Sequence, residues 1–282
     1  MTAIAVNGLP APGAAALRAR AQRENFPVAL ALLSRAQRAH LMALYGFARL
    51  ADDIGDESEG DRLAQLGELG VDLGRLFAGA EPLHPVLQRL APTVRALNLP
   101  ESPFRRLIEA NRRDQRVSRY ASWDELRDYC ALSANPVGQL VLHVFGAATP
   151  DRFPASDAVC TALQLVEHCQ DVAEDLERGR LYLPAEDLAR FGCDERDLRA
   201  PCASPGVRAL LRFEVARARA LLDSGAPLVR LLSGRARLAI AGFIAGGLAA
   251  ADAIERRGYD VLGGAPRPRR RDLLRRLVAA LR

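Results

Sequence analysis

The stretch Leu163–Pro184, LQLVEHCQDVAEDLERGRLYLP, decides how the rest of the chain is read. Apolar residues at Leu163, Val166, Cys169 (or Val172) and Leu176 recur at helical spacing, which predicts an amphipathic helix ending near Gly179. Asp171 and Asp175 are four apart and share one face of that helix, with Cβ atoms roughly 5–6 Å apart. Gln164 and His168 extend the same stripe one and two turns back. A helix C-terminus carries partial negative charge and prefers Lys or Arg, so acids are misplaced here. Like charges four apart add a further penalty of about 0.2–0.5 kcal/mol. A cation held between them reverses both terms. The plain alternative is a solvated acidic helix end followed by Arg178 and Arg180.

A second cluster has the same design. Ala39–Asp56, AHLMALYGFARLADDIGD, carries an apolar stripe through Leu41, Leu44, Phe47, Ala48 and Ala51 and ends in Asp52, Asp53 and Asp56. Gly55 falls inside the expected turn, and Asp52 and Asp56 are again four apart. Two helices that each aim a carboxylate pair from the unfavourable dipole end suggest one shared divalent metal site. Oxygen ligands without a His/Cys cage favour Mg2+, which takes a few carboxylates together with substrate phosphates.

Composition narrows the class of protein. Apolar residues make up 49% of the 282 and charged residues 26%, ample material for a packed core. There is no Lys, so all 39 basic residues are Arg. Schiff-base chemistry on a lysine is thereby excluded, and any anion must be held by Arg, backbone or metal. The net charge of +5 is spread out and aromatics are only 5%, which argues against nucleic acid as a partner. Cys130, Cys160, Cys169, Cys193 and Cys202 form no CxxC and leave an odd one over, so they are expected to be reduced, in a cytoplasmic protein. Residues 1–13 are rich in Ala, Pro and Gly and are expected to be disordered; they lack the pattern of a signal peptide. The longest charge-free apolar run, Leu238–Ala251, is shorter than the ~20 residues of a membrane span. Its Gly242-x-x-x-Gly246 spacing fits close packing of a buried helix.

Almost every segment has the 3.6-residue period and none reads as a strand. Helices are expected from near Ala14, over Phe26–Leu33, Arg35–Asp53, Leu63–Phe77, Val86–Leu97 and Phe104–Val117. Trp123–Phe145 reads as one long helix with Ser122 as N-cap and Glu125 closing a capping box. Asn135-Pro136-Val137-Gly138 interrupts it, as a kink that makes room for a ligand or as a simple join of two helices. Ala155–Glu177 carries the second acidic pair. Leu181–Pro205 is irregular, with short turns near Asp187 and Asp194, and Val207–Leu232 and Arg235–Arg257 are long helices. Arg267–Arg282, RPRRRDLLRRLVAALR, is a basic amphipathic tail that either docks on an anionic membrane surface or offers a solvated face on a last packed helix. One all-α domain over residues 14–282 is the simplest organisation.

These residues resemble the squalene/phytoene synthase family of head-to-head prenyl transferases. Tyr45-Gly46-Phe47-Ala48-Arg49-x-x-Asp52-Asp53-x-x-Asp56 is similar to its first aspartate motif. Gln164, Asp171-Val172-x-x-Asp175 and Arg180-Leu181-Tyr182-Leu183-Pro184 are similar to its second. Asp114-Gln115, Arg119-Tyr120, Tyr129-Cys130 and Pro136-Val137-Gly138 fit between them, and Tyr259 lies where the family has a late tyrosine. The resemblance implies the all-α isoprenoid-synthase fold, a helical bundle around a central apolar cavity. Glu24-Asn25-Phe26-Pro27-Val28-Ala29, Asp52-Asp53-Ile54-Gly55-Asp56-Glu57, Ser133-Ala134-Asn135-Pro136-Val137-Gly138 and Gln170-Asp171-Val172-Ala173 resemble the hydroxysqualene synthase branch of bacterial hopanoid synthesis. That branch implies a prenyl diphosphate substrate, presqualene diphosphate, ionised and captured by water without reduction. It also implies other enzymes of squalene and hopanoid synthesis as partners. One departure is Glu167, where the family has Asn. It adds a carboxylate beside Asp171, as a further metal ligand or as a source of repulsion against diphosphate.

Under that resemblance, Mg2+ on Asp52/Asp56 and Asp171/Asp175 neutralises the leaving diphosphate. Arg49, one turn before Asp52, offers a bidentate hold on phosphate, and pairing with Asp52 or Asp53 is compatible with that role. Tyr45 hydrogen-bonds the phosphate, faces a carbocation, or simply packs in the core. Arg178 and Arg180 close over the leaving group or stay on the surface, and His168 reads as a core or supporting histidine. Phe26 and Phe47 line the cavity, and Gln164, Tyr182 and Tyr259 join the substrate site through the family motifs. Two other functions compete: condensation of two farnesyl diphosphates to presqualene diphosphate, squalene or dehydrosqualene, and a non-catalytic scaffold at a membrane surface.

Overall fold

Helix α1, Arg35–Asp56, begins where Ser34 closes a reciprocal cap. The Ser34 hydroxyl accepts from the Gln37 N–H at 3.1 Å, and the Gln37 side chain accepts from the Ser34 N–H at 3.2 Å. The computed structural model describes Leu9 and residues 33–282. Apart from Leu9 and Leu33, the helices expected near Ala14 and over Phe26–Leu33, the candidate residue Phe26 and the tail at residues 1–13 lie outside the described residues.

Residues up to Arg116 together with Pro136–Ala148 form one compact unit. Within it, α1 buries Leu41, Leu44, Phe47, Leu50 and Ile54 at helical spacing. It packs against α2 (Arg62–Phe77), α3 (Pro85–Leu97) and α4 (Ser102–Asp114). Phe47 meets the ring of Phe104 edge-on at 5.1 Å. The expected turn at Gly55 is corrected by the structure, because α1 continues to Asp56. Gly55 is needed there for proximity: a Cβ on it would lie 2.3 Å from the Asn111 Oδ1 on α4. Asp72 is buried and accepts the N–H groups of Leu83 and His84, both at 2.8 Å, which ties the loop before α3 to α2.

Val117–Asn135 and Thr149–Arg282 form the second unit. The expected long helix over Trp123–Phe145 is two helices, α5 (Trp123–Ser133) and α6 (Asn135–Val144), so the plain join holds. Ser122 caps α5 as expected, but Glu125 reaches back to the N–H of Ala121 at 2.8 Å instead of that of Ser122. The helix read as Ala155–Glu177 is also split. It consists of α7 (Phe153–Gln170) and α8 (Val172–Glu177), with Asp171 at the break. Short helices α9 (Ala185–Arg190) and α10 (Glu195–Leu198) punctuate the irregular stretch, and α11 (Pro205–Gly225), α12 (Pro227–Arg230), α13 (Gly234–Arg256) and α14 (Arg270–Ala280) complete the unit.

α11 packs along α7, and α13 along α14, α7 and α11. The glycines that allow this approach are Gly225 and Gly247. An added Cβ would lie 2.5 Å from Val159 Cγ2 and 2.6 Å from Leu163 Cδ2, respectively. At Gly242 and Gly246, the pair singled out by spacing, an added Cβ would meet nothing within 4 Å among the described residues. Among the described residues α13 alone is long and apolar enough to cross a membrane, and 67% of its most apolar stretch is buried. No strand occurs among the described residues; one isolated parallel bridge pairs Arg119 with Leu181.

Candidate active site

The first acidic group sits at the C-terminal end of α1, as the sequence predicts, with no basic residue in the last turn. What relieves the exposed carbonyls there comes from elsewhere in the unit. The Gly55 carbonyl accepts from Gln115 Nε2 at 2.9 Å and from Arg62 Nη1 at 3.1 Å. Asn111 donates to Asp52 Oδ1 at 3.0 Å and thereby fixes one oxygen of that carboxylate. Asp52 is open to solvent yet recessed: burial pushes its carboxyl up to about 6, with Asp56 and Asp114 adding repulsion against the Asn111 bond and Arg49. Asp56 is half-buried beside it, and Asp53 is buried. Arg49 bonds Asp53 at 2.7 Å and Glu57 at 2.8 Å, a pairing of the kind expected for it. Tyr45, half-buried, lies one turn before Arg49 on α1.

The second acidic group occupies the α7–α8 break in the other unit. Asp171 closes α7, where its N–H donates to the Glu167 carbonyl at 2.9 Å; its own carbonyl then accepts from the Asp175 N–H at 2.8 Å. Asp175 therefore stands in the first turn of a new helix and not at the end of a long one. Burial pushes the Asp171 carboxyl up to about 6, Asp175 and Glu174 push the same way, and Arg178 opposes them. His168 is buried, with Nδ1 3.9 Å from Asp175 Oδ2 and Nε2 3.3 Å from the Gln164 amide nitrogen. With that amide donating to Nε2, the imidazole proton is assigned to Nδ1, facing Asp175. Burial also lowers the histidine's proton affinity, although Asp175 works against this. His168 is thus a buried histidine beside Asp175, which fits both the core and the supporting placement expected of it.

Tyr182 stacks on His168 with ring centroids 3.9 Å apart and planes 11° from parallel. Tyr120 and Tyr129 complete the aromatic group, 5.8 and 5.4 Å from Tyr182. The Arg180–Pro184 segment is held in place by backbone bonds from Leu181 N–H to Ser118 and from Ala185 N–H to Tyr120, both 2.9 Å. Arg119 clamps the same region, pairing with Glu195 and donating to the Gly179 carbonyl at 2.7 Å. Arg180 is half-buried and gives its N–H to the Asp175 carbonyl at 2.8 Å, whereas Arg178 is exposed and pairs with Glu174. Glu167 is exposed. Tyr259 lies in the turn after α13 at φ 61°, with the Arg212 guanidinium 5.1 Å from its ring centre.

Thus Tyr45, Arg49, Asp52 and Asp56 are neighbours in one unit, and Gln164, Asp171, Asp175, Arg180 and Tyr182 in the other. Asn111 escaped the sequence reading; its one signal there is a helix-disfavoured Asn four residues before Gln115. Among the described residues no three His, Cys, Asp or Glu side chains gather closely enough to hold an ion unaided. This donor set suits Mg2+, which binds through one or two carboxylates and completes its shell with waters and substrate phosphates. The repulsion within each pair, which Arg49 and Arg178 offset only in part, is what such an ion would remove.

The fold places the protein in the class of all-α isoprenoid synthases. The squalene synthase HpnC from Alicyclobacillus acidocaldarius superposes with a TM-score of 0.80 and 44% identity, over 87% of this chain and 94% of that one. A dehydrosqualene synthase in complex with ligand, 22% identical, shares the fold with a TM-score of 0.84 over 95% of this chain and 94% of that one. Residues 19–276 match the family described as squalene/phytoene synthase, and the chain belongs to that family. Hydroxysqualene synthase from Zymomonas mobilis is 37% identical over 207 residues, 71% of this chain and 68% of that protein. The 15-cis-phytoene synthase of Synechococcus elongatus is 32% identical over 255 residues, 84% and 82% of the two. The protein is an isoprenoid synthase, which sets aside the non-catalytic scaffold.

Proposed function

We propose that the protein ionises presqualene diphosphate in a Mg2+-dependent step and captures the cation with water, giving hydroxysqualene and diphosphate. The observation that carries the diphosphate chemistry is the state of the two acidic pairs. Asp52 and Asp171 are each pushed up to about 6, and in each pair the partner acid adds to the shift. The choice of substrate rests on the likeness to hydroxysqualene synthases. In this reading Asp52 and Asp56, and Asp171 and Asp175, would hold Mg2+, which would supply positive charge against the negative charge that grows on the diphosphate as the C–O bond breaks. The bonding pair leaves with the diphosphate, a water oxygen forms the new C–O bond, and its proton passes to solvent or diphosphate. No reductant enters.

The chain's own residues prepare those carboxylates. Asn111 ties one oxygen of Asp52 and leaves the other for a cation. Gln164 orients His168, which directs its N–H toward Asp175. Arg49 draws Asp53 and Glu57 to itself, which keeps these acids from adding to the Asp52/Asp56 repulsion.

The likeness to a solved squalene synthase favours a second reading, condensation of two farnesyl diphosphates. Purified protein with Mg2+ is given presqualene diphosphate or farnesyl diphosphate in parallel, and the products are separated by mass spectrometry. Hydroxysqualene from presqualene diphosphate without a nicotinamide cofactor is the expected result. Conversion of farnesyl diphosphate alone with no hydroxysqualene from either substrate establishes the second reading instead.

A further inference from the structure

Helix α14 has two faces of different fate. Its inner face is locked to the neighbouring helices by charge: Arg256 pairs with Asp272 at 2.7 Å, and Asp252 on α13 receives Arg276 at 2.6 Å, Arg219 at 2.8 Å and Arg275 at 3.2 Å. Arg237, near the start of α13, also donates to the Leu281 carbonyl at 2.7 Å. The helix therefore runs antiparallel to α13 and is fixed at both ends and in the middle.

The outer face is left over from this docking. Arg271, Leu274, Val278 and Arg282 follow at steps of three, four and four residues, which places them on one stripe. Leu274 is 63% exposed, more than any other large apolar side chain among the described residues, and Val278 is 46% exposed. Arg267, Arg269, Arg270, Arg271 and Arg282 are exposed and pair with no acid among the described residues. The one acid of the segment, Asp272, is turned inward and consumed by Arg256.

We propose that this outer face is a docking surface for an anionic lipid bilayer. Leu274 and Val278 insert at the headgroup boundary while the surrounding guanidinium groups pair with lipid phosphates, their methylene stems lying along the apolar surface. Charge complementarity selects this occupant over a second copy of the chain. Two copies meeting on the stripe would bring Arg271 and Arg282 against their own counterparts, and two apolar side chains fall far short of a stable dimer interface. The proposal does not depend on which diphosphate the enzyme accepts.

The test is co-sedimentation of the purified protein with vesicles of phosphatidylcholine alone or mixed equally with phosphatidylglycerol, at low and high salt. The parent should bind the mixed vesicles, and binding should weaken with salt and be negligible on phosphatidylcholine. Leu274→Glu and Val278→Glu should each weaken partitioning by at least about tenfold, and Arg270→Glu/Arg271→Glu should abolish the preference for phosphatidylglycerol. These residues are exposed, so melting temperature and turnover in detergent should match the parent. Equal binding to both vesicle types, undiminished binding of the variants, no binding by the parent, or a dimer in solution that Leu274→Glu dissociates would each overturn the proposal.

Discussion

Glu214→Gln should stabilise the protein, with a benefit that grows as the pH rises. Glu214, on α11, has no solvent-exposed surface. Its Oε2 meets Arg217 Nη1 at 2.7 Å, and the same Nη1 meets Asp187 Oδ2 on α9 at 2.8 Å. One guanidinium thus serves two buried carboxyls, while itself lying 4.6 Å from the ring centres of Trp123 and of Phe213. As an anion Glu214 leaves Oε1 buried without a hydrogen bond. As a neutral acid it donates to Asp187, and its carboxyl is pushed up to about 8, by burial above all, against Arg217. The folded protein therefore binds this proton more tightly than the unfolded chain, where a glutamate has its ordinary value of 4.5.

The sign and size follow. The stabilisation is complete below about pH 4.5 and is lost as pH rises through about 8. At about 1.36 kcal/mol per tenfold change in proton affinity, the whole titration amounts to about 5 kcal/mol, of which about 2 kcal/mol falls between pH 6.5 and 8.5. Asp52 and Asp171, raised to about 6, have finished most of their change below that window. The amide introduced by Glu214→Gln keeps a donor toward Asp187 and does not titrate. Urea unfolding followed by the fluorescence of Trp123, the single tryptophan, should show the variant ahead of the parent by an amount that widens by about 2 kcal/mol from pH 6.5 to 8.5. Parallel pH profiles, or a variant less stable than the parent at pH 8.5, would refute the account of a shared proton. The counterpart change, Arg217→Met, strands two buried acids and should cost about 3–5 kcal/mol.

Gly55→Ala should displace Asn111 from Asp52, with overpacking costing about 1–3 kcal/mol; a melting curve and the Mg2+ dependence of turnover check both effects. Asp52→Asn and Asp171→Asn should lower Mg2+-dependent turnover by about a hundredfold or more, yet not lower the metal-free melting temperature near pH 7, because each removes a carboxylate that the fold keeps ionised at a cost. Finally, burial works against the charge on Asp252, but Arg276 and Arg219 outweigh it and hold its carboxyl below the usual range. That contribution is present above the unfolded value and lost as pH falls through the lowered folded one. Amide exchange over residues 270–280 should therefore accelerate in Asp252→Asn at neutral pH and in the parent only under strong acid.

The first acidic pair stands out in the sequence because it breaks a local rule, whereas Asp175 proves to stand in the first turn of a new helix, where an acid is at home. Asp52 and Asp56 close a helix with the charge its dipole disfavours. The residues that make the arrangement workable break no such rule. Gln115 and Arg62 look like ordinary polar positions, yet they satisfy the Gly55 carbonyl. Gly55 itself reads as turn punctuation when judged by its neighbours, and only α4 passing close to α1 turns it into a helix residue. Asp171 divides α7 from α8 with neither Pro nor Gly beside it to announce the break. Among the described residues the close approaches fall on Gly225 and Gly247, not on Gly242 and Gly246, whose spacing suggests one. Glu214 and Arg217 have the three-residue spacing of a surface ion pair. Burial against the rest of the unit converts them into the network whose proton is most sensitive to pH. Local patterning thus exposes a residue held against its preferences, while long-range packing decides whether one in keeping with them matters. The Glu214→Gln profile bears on this distinction, because no property of the isolated α11 sequence predicts a glutamate that titrates near 8.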